Sequence, residues 1–109
     1  MALSKHEREV LGRFRDILND VIADERPEVT LFGSKARGDD NPDSDVDVLV
    51  RVTGDDWRIC DKVYAVVTRL LIDTGVCISP KVINRAQFDR MQRGGVPFAG
   101  NVMKDAVTI

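Results

Sequence analysis

Gly33-Ser34, followed after ten residues by Asp45-Val46-Asp47, joins a small-residue turn able to hold phosphate oxygens to two carboxylates able to hold a divalent cation. Val46–Val52 is rich in Val and Leu, follows the turn-forming Asn41-Pro42-Asp43-Ser44, and reads as a strand. Side chains two apart on a strand share a face, with about 6.6–6.8 Å between their α-carbons. Asp45 and Asp47 therefore project together, and Val46, Val48 and Val50 project to the opposite, buried face. Paired carboxylates repel each other unless a cation lies between them. Hard oxygen donors without His or Cys suit Mg2+ or Mn2+, which keep positions open for water and substrate phosphates.

Val29-Thr30-Leu31-Phe32 is a short apolar, β-branched run and reads as a neighbouring strand. Gly33 ends it and permits close backbone approach, with Ser34 expected to cap a short helix starting at Lys35. Backbone N–H groups at a helix start lack internal partners and attract anions. The Ser34 hydroxyl would add a hydrogen bond to a phosphate oxygen, Ser44 stands beside the first carboxylate, and Lys35 or Arg37 would neutralise a triphosphate. Arg37 has the planar fork suited to phosphate. A Gly-Ser pair at a strand end is by itself usually just a turn. Asp-x-Asp on a strand is disfavoured by β-propensity and costly when half-buried, so it points more strongly to function. A calcium loop of EF-hand type starting at Asp39 fails: its sixth position is Ser44 where Gly is required, and its twelfth is Val50 where Glu is required.

The elements that must position these residues are short and alternate. Ser4 and Glu7 form a capping-box pattern ahead of an amphipathic helix expected to reach about Asp24. A second long helix is expected from about Asp55, with Trp57, Cys60, Val63, Val67, Leu70 and Leu71 as core positions and Gly75 at its end. A strand over Val76–Ile83 follows, then a short helix capped by Asn84 with Gln87, a turn at Gly94-Gly95-Val96-Pro97, a last helix and a final strand near Val107. Helices alternating with strands around a small mixed sheet give an α+β (mixed α/β) fold. At 109 residues the chain is expected to form one domain over 1–109.

Composition narrows the function. A net charge of −2, no basic block and six aromatic residues argue against direct nucleic-acid binding by the chain alone. No apolar stretch is long enough to span a membrane, and the N-terminus lacks a signal-peptide pattern. Cys60 and Cys77 lack metal or redox spacing and read as reduced core thiols of a cytoplasmic protein. His6 has no adjoining carboxylate or nucleophile pattern that would give it a catalytic role.

Gly33-Ser34-x-Ala36-Arg37-Gly38 with Ser44-Asp45-x-Asp47-x-x-Val50 resembles the signature of the DNA polymerase β-like nucleotidyltransferase superfamily, and most of all its minimal nucleotidyltransferases. The resemblance is specific over residues 29–52 and extends more loosely to the closing segment 101–109. It implies a nucleotidyltransferase fold in which Gly33 and Ser34 hold the nucleotide phosphates and Asp45 and Asp47 bind the catalytic metal, Mg2+ or Mn2+, with Arg37 assisting. The implied activity is transfer of a nucleoside monophosphate, AMP from ATP first among them, to a hydroxyl acceptor. Relatives of this kind pair with a helical HEPN protein, and some act as antitoxins that attach AMP to that partner. Larger relatives modify aminoglycosides with the help of an additional helical domain. The superfamily commonly adds a third carboxylate on a later strand, where this chain has Ser79 or Lys81 and no Asp or Glu. That departure raises a second reading, a binding module that neutralises a HEPN partner by contact. The sequence leaves open whether the chain forms a homo-oligomer.

Overall fold

The first helix starts where its capping residues place it. In the computed structural model, which describes residues 3–38 and 44–109, the Glu7 N–H donates to Ser4 Oγ at 3.0 Å and the Ser4 N–H donates to the Glu7 carboxylate at 2.9 Å. This closes the capping box ahead of α1 (Lys5–Val21). Val10, Leu11, Phe14 and Leu18 form the buried stripe of α1. The helix stops before Asp24: a 3-10 turn at Ala23–Glu25 intervenes, and Arg26 takes a left-handed conformation ahead of Pro27.

Then follow β1 (Glu28–Leu31), the single-turn α2 (Ser34–Arg37), β2 (Val46–Val52), α3 (Trp57–Thr74), β3 (Ile78–Asn84), α4 (Arg85–Arg93), α5 (Pro97–Asp105) and β4 (Val107–Thr108). The strands form one mixed sheet in the order β3-β2-β1-β4. β1 runs antiparallel to β2 and β4, and β2 and β3 are parallel. This is the α+β architecture, a small mixed sheet flanked by helices, that the resemblance implied. The turn expected at Asn41-Pro42-Asp43 lies outside the described residues.

Alternation along β2 sorts its side chains between two layers. Val46, Val48, Val50 and Val52 are fully buried and pack with Val29 and Leu31 against α1 and α3. Leu49 faces the other way, into a smaller cluster with Phe88, Ala99 and Val102 from α4 and α5. Arg51, on the same face, pairs with Glu28 at 2.7 Å and lies over the Phe88 ring at 5.6 Å. Asp47, two residues nearer the start of the strand than Leu49, is only half-buried.

α3 departs from expectation in its outer face. Ile59, Val63, Val66, Val67 and Leu70 are buried, whereas Trp57 and Leu71, expected in the core, are 65% and 41% exposed. Tyr64 and Ile72 share that outer side. Positions seven apart stay on nearly one line of a helix, and the larger buried set fixes which line faces inward. Tyr64 Oη donates to the Pro80 carbonyl at 3.3 Å, binding α3 to the outermost strand β3. His6 Nε2 lies 3.0 Å from the Thr74 carbonyl oxygen, a structural tie between α1 and the end of α3. Gly75 ends α3 in the left-handed conformation, as its position implied. Cys77 is exposed rather than a core thiol, because it points away from the face on which its neighbours Val76 and Ile78 are buried, and Cys60 is half-buried.

Candidate active site

The antiparallel β1–β2 pair brings the two halves of the motif together. Leu31 is in register with Val48, and the Phe32 N–H extends the ladder by donating to the Asp47 carbonyl at 3.1 Å. The next residue, Gly33, therefore comes to rest beside the Asp47 side chain. A Cβ built on Gly33 would lie 2.6 Å from Asp47 Oδ2, closer than any real side chain permits. Its backbone, at φ 77° and ψ −157°, belongs to a region that glycine adopts and other residues avoid.

The cap of α2 differs from the sequence reading. Gly33 is the N-cap and accepts the Arg37 N–H at 3.1 Å, so Ser34 is the first helical residue rather than the capping one. Ser34 remains half-buried next to Asp47's neighbour Gly33. Lys35, expected to face a triphosphate, is turned inward. Its side chain is 3% exposed and its ammonium lies 2.9 Å from the Glu7 carboxylate of α1. On a single helical turn adjacent residues point in widely different directions, and Lys35 takes the one that leads under the turn to α1. Burial alone would raise the Glu7 carboxyl, but hydrogen bonds from Ser4 together with the Lys35 ammonium hold it below its ordinary value. Arg37 is exposed and forms an ion pair with Asp105, at the end of α5, at 3.0 Å.

Ser44 and Asp45 lead into β2, Ser44 half-buried and Asp45 exposed. Burial, and after it the charge of Asp45, push the Asp47 carboxyl above its ordinary value, against opposing pulls from Lys81 and Arg37. A half-buried carboxylate whose ionisation is opposed by a neighbouring carboxylate forms a site that a cation would relieve. Their chemistry fits one hard divalent ion, which would take one or two carboxylates and complete its shell with water and phosphate oxygens. Among the described residues no group of three or more His, Cys, Asp or Glu side chains is placed to hold a metal. The strand β3 runs parallel beside Asp47, with Ser79 in direct register. Although Cys77 as a residue is exposed, partial burial of its thiol, and after it the neighbouring Asp45, push that thiol above its ordinary value.

Glu7 and Asp105 are the two partners that sequence reasoning missed. Glu7 was legible only as a capping residue, and nothing local links it to position 35. Asp105 lies 68 residues from Arg37 and reaches it because α5 returns along the sheet.

Comparison with known proteins agrees with this geometry. A family model described as "Nucleotidyltransferase domain" matches residues 8–90, well over half the chain. A Methanocaldococcus jannaschii protein named "Putative protein adenylyltransferase" is 31% identical over 93 residues, covering 81% of this chain and 94% of that protein. The crystal structure of a "putative nucleotidyltransferase" from Sulfolobus solfataricus superposes with a TM-score of 0.50 at 27% identity, covering 99% of this chain and 89% of that one. With the motif, the fold and the family match in agreement, the chain belongs to the nucleotidyltransferase-domain family.

Proposed function

We propose that the chain transfers AMP from ATP to a hydroxyl on a partner protein, in a reaction dependent on Mg2+ or Mn2+. The observation that carries this reading is the lodging of the Asp47 carboxylate in the space left open by Gly33, which fuses the phosphate turn and the metal carboxylate into one site. Gly33 and Ser34 orient the phosphates, Asp45 and Asp47 hold the ion, and Arg37 lends positive charge at the rim. A divalent ion held there would supply positive charge to the phosphates as negative charge develops on their oxygens. The acceptor oxygen bonds to the α-phosphorus while the bond to the β-phosphate oxygen breaks. Pyrophosphate leaves with the electron pair, and the hydroxyl proton passes to water.

The relative named as a protein adenylyltransferase supports a protein acceptor. The resemblance to minimal nucleotidyltransferases supports a HEPN-type partner and an antitoxin role. The test is incubation with α-labelled ATP, GTP, CTP and UTP, Mg2+ and lysate of the source, with Asp47→Asn as control. Label on a discrete protein, lost in the control, supports the reading. Label on a small molecule moves the acceptor to a drug-like or metabolite hydroxyl, and no transfer at all refutes it.

A second reading, neutralisation of the partner by contact, is favoured by a different observation. β3 carries no carboxylate, and the outer face of α3 displays Trp57, Tyr64, Leu71 and Ile72. Complex formation that is indifferent to ATP, Mg2+ and Asp45→Asn would select it.

A further inference from the structure

The strand paired in parallel with β2 reads Ile78-Ser79-Pro80-Lys81-Val82-Ile83-Asn84. Its register sets Ser79 opposite Asp47 and Lys81 opposite Leu49. Alternation puts Ser79 and Lys81 on the face that carries Asp47. Lys81 is exposed, one alternation along β3 from the residue opposite Asp47. Of the two cations of α2, Lys35 is buried against Glu7, and Arg37, at the rim, is also paired with Asp105. Lys81 is thus the cation that β3 presents to the carboxylate pair.

Many phosphoryl-transfer sites clamp the attacking and leaving oxygens between two ions about 3.5–4 Å apart. Each such ion needs near-octahedral oxygen ligation. Asp45 and Asp47 with phosphate oxygens serve one ion, and the position on β3 that faces Asp47 is a hydroxyl rather than a carboxylate. We propose, building on the transferase reading above, that the chain takes one divalent cation on Asp45 and Asp47 and that the Lys81 ammonium supplies to the α-phosphate the positive charge a second ion would bring.

The pairing of Ser79 with Lys81 on one face is chemically consistent. A carboxylate at position 79 would both recruit a second cation and neutralise Lys81, whereas Ser79 does neither. Lysine offers a compact point charge with three donors on a flexible stem, able to follow a phosphoryl oxygen as charge builds on it.

The experiment counts ions rather than turnovers. Mn2+ is titrated into the full chain with a non-hydrolysable ATP analogue, and bound ions are counted by electron paramagnetic resonance. One Mn2+ per chain is expected for the unaltered protein and for Lys81→Ala. Lys81→Ala weakens analogue binding about tenfold, the loss of one charge-assisted contact, and lowers turnover about 100-fold. The double variant Ser79→Asp/Lys81→Ala is expected to take up a second Mn2+. Position 81 is exposed, so melting curves should show the variants folded. Two ions on the unaltered chain, or unchanged analogue affinity in Lys81→Ala, overturns the proposal while leaving the transferase reading intact. An unaltered chain that binds neither Mn2+ nor the analogue overturns both.

Discussion

Gly33 and Asp47 share one volume: the carboxylate oxygen Oδ2 stands 2.6 Å from where a Gly33 Cβ would be. Gly33→Ala must therefore move the carboxylate as well as strain the turn. A backbone of this kind costs about 1–3 kcal/mol for a non-glycine residue. The expected result is a loss of that order in stability and a fall of about 100-fold or more in kcat/KM. Gly75→Ala is the control. It also sits at φ 77°, but nothing lies within 4 Å of its Cβ, so it should lose about 1–2 kcal/mol without weakening ATP binding. Melting curves and analogue titrations on both variants check the pair, and undiminished nucleotide affinity in Gly33→Ala would show that the steric coupling is immaterial.

Asp45→Asn and Asp47→Asn should separate stability from activity. The Asp47 charge is disfavoured in the folded chain by burial and by Asp45. Its removal should leave the melting temperature unchanged or raised while transfer is lost. Mg2+ with nucleotide should stabilise the unaltered protein, by about 2.7 kcal/mol at a hundredfold excess over Kd. Neither variant should respond. Differential scanning calorimetry with and without Mg2+ and the analogue reads both effects.

Acid sensitivity should trace to Glu7. Its folded carboxyl titrates below the ordinary value of 4.5, so its contribution is fully present above 4.5 and is lost as pH falls through the lower folded value. Glu7→Gln removes the carboxylate charge from beside the buried Lys35 ammonium and should cost about 1–3 kcal/mol at neutral pH. The part of the acid limb due to Glu7 disappears with it. Urea titrations from about pH 3 to about pH 7, on both sides of the ordinary carboxyl value, test the sign. Lys35→Met, whose side chain faces α1, should leave the KM for ATP within about twofold; a large rise would return Lys35 to the phosphates.

Two aromatic residues should respond in opposite ways to truncation. Phe88 is fully buried between Leu49 and α5 and carries Arg51 over its ring. Phe88→Ala should cost about 3–5 kcal/mol. Trp57 is 65% exposed, and Trp57→Ala should change stability by less than about 1 kcal/mol. Chemical denaturation of the two variants compares them directly.

Much of this arrangement was legible locally. The strand Val46–Val52, the Ser4–Glu7 box, the Gly75 stop and the Asn84 cap are each set by residues within a few positions of one another, and each is found where those residues place it. Features that depend on distant partners were not. Lys35 read as a phosphate ligand because a cation after Gly-Ser ordinarily faces solvent; its counter-ion lies 28 positions back on another helix. Trp57 and Leu71 obey the same periodicity as the buried residues of α3, and only packing on the sheet shows which stripe turns inward. The order β3-β2-β1-β4, which sets Ser79 and Lys81 beside Asp47, has no local signature at all.

The Tyr64–Pro80 contact bears on how the molecule avoids its own kind. β3 is an outermost strand, and exposed strand edges template the addition of further strands and hence aggregation. The Val46 N–H donates to the Cys77 carbonyl, so alternation turns positions 77, 79, 81 and 83 toward β2 and leaves Ile78, Pro80, Val82 and Asn84 facing outward. In the middle of that edge Pro80 has no N–H to offer, and its carbonyl is already taken by the Tyr64 hydroxyl. An incoming strand would find a broken rung halfway along. The opposite edge, β4, is two residues long and offers too little to extend. The chain thus exposes Trp57, Tyr64, Leu71 and Ile72 on α3 while closing both edges of its sheet, which steers association toward side-chain recognition and away from runaway backbone pairing.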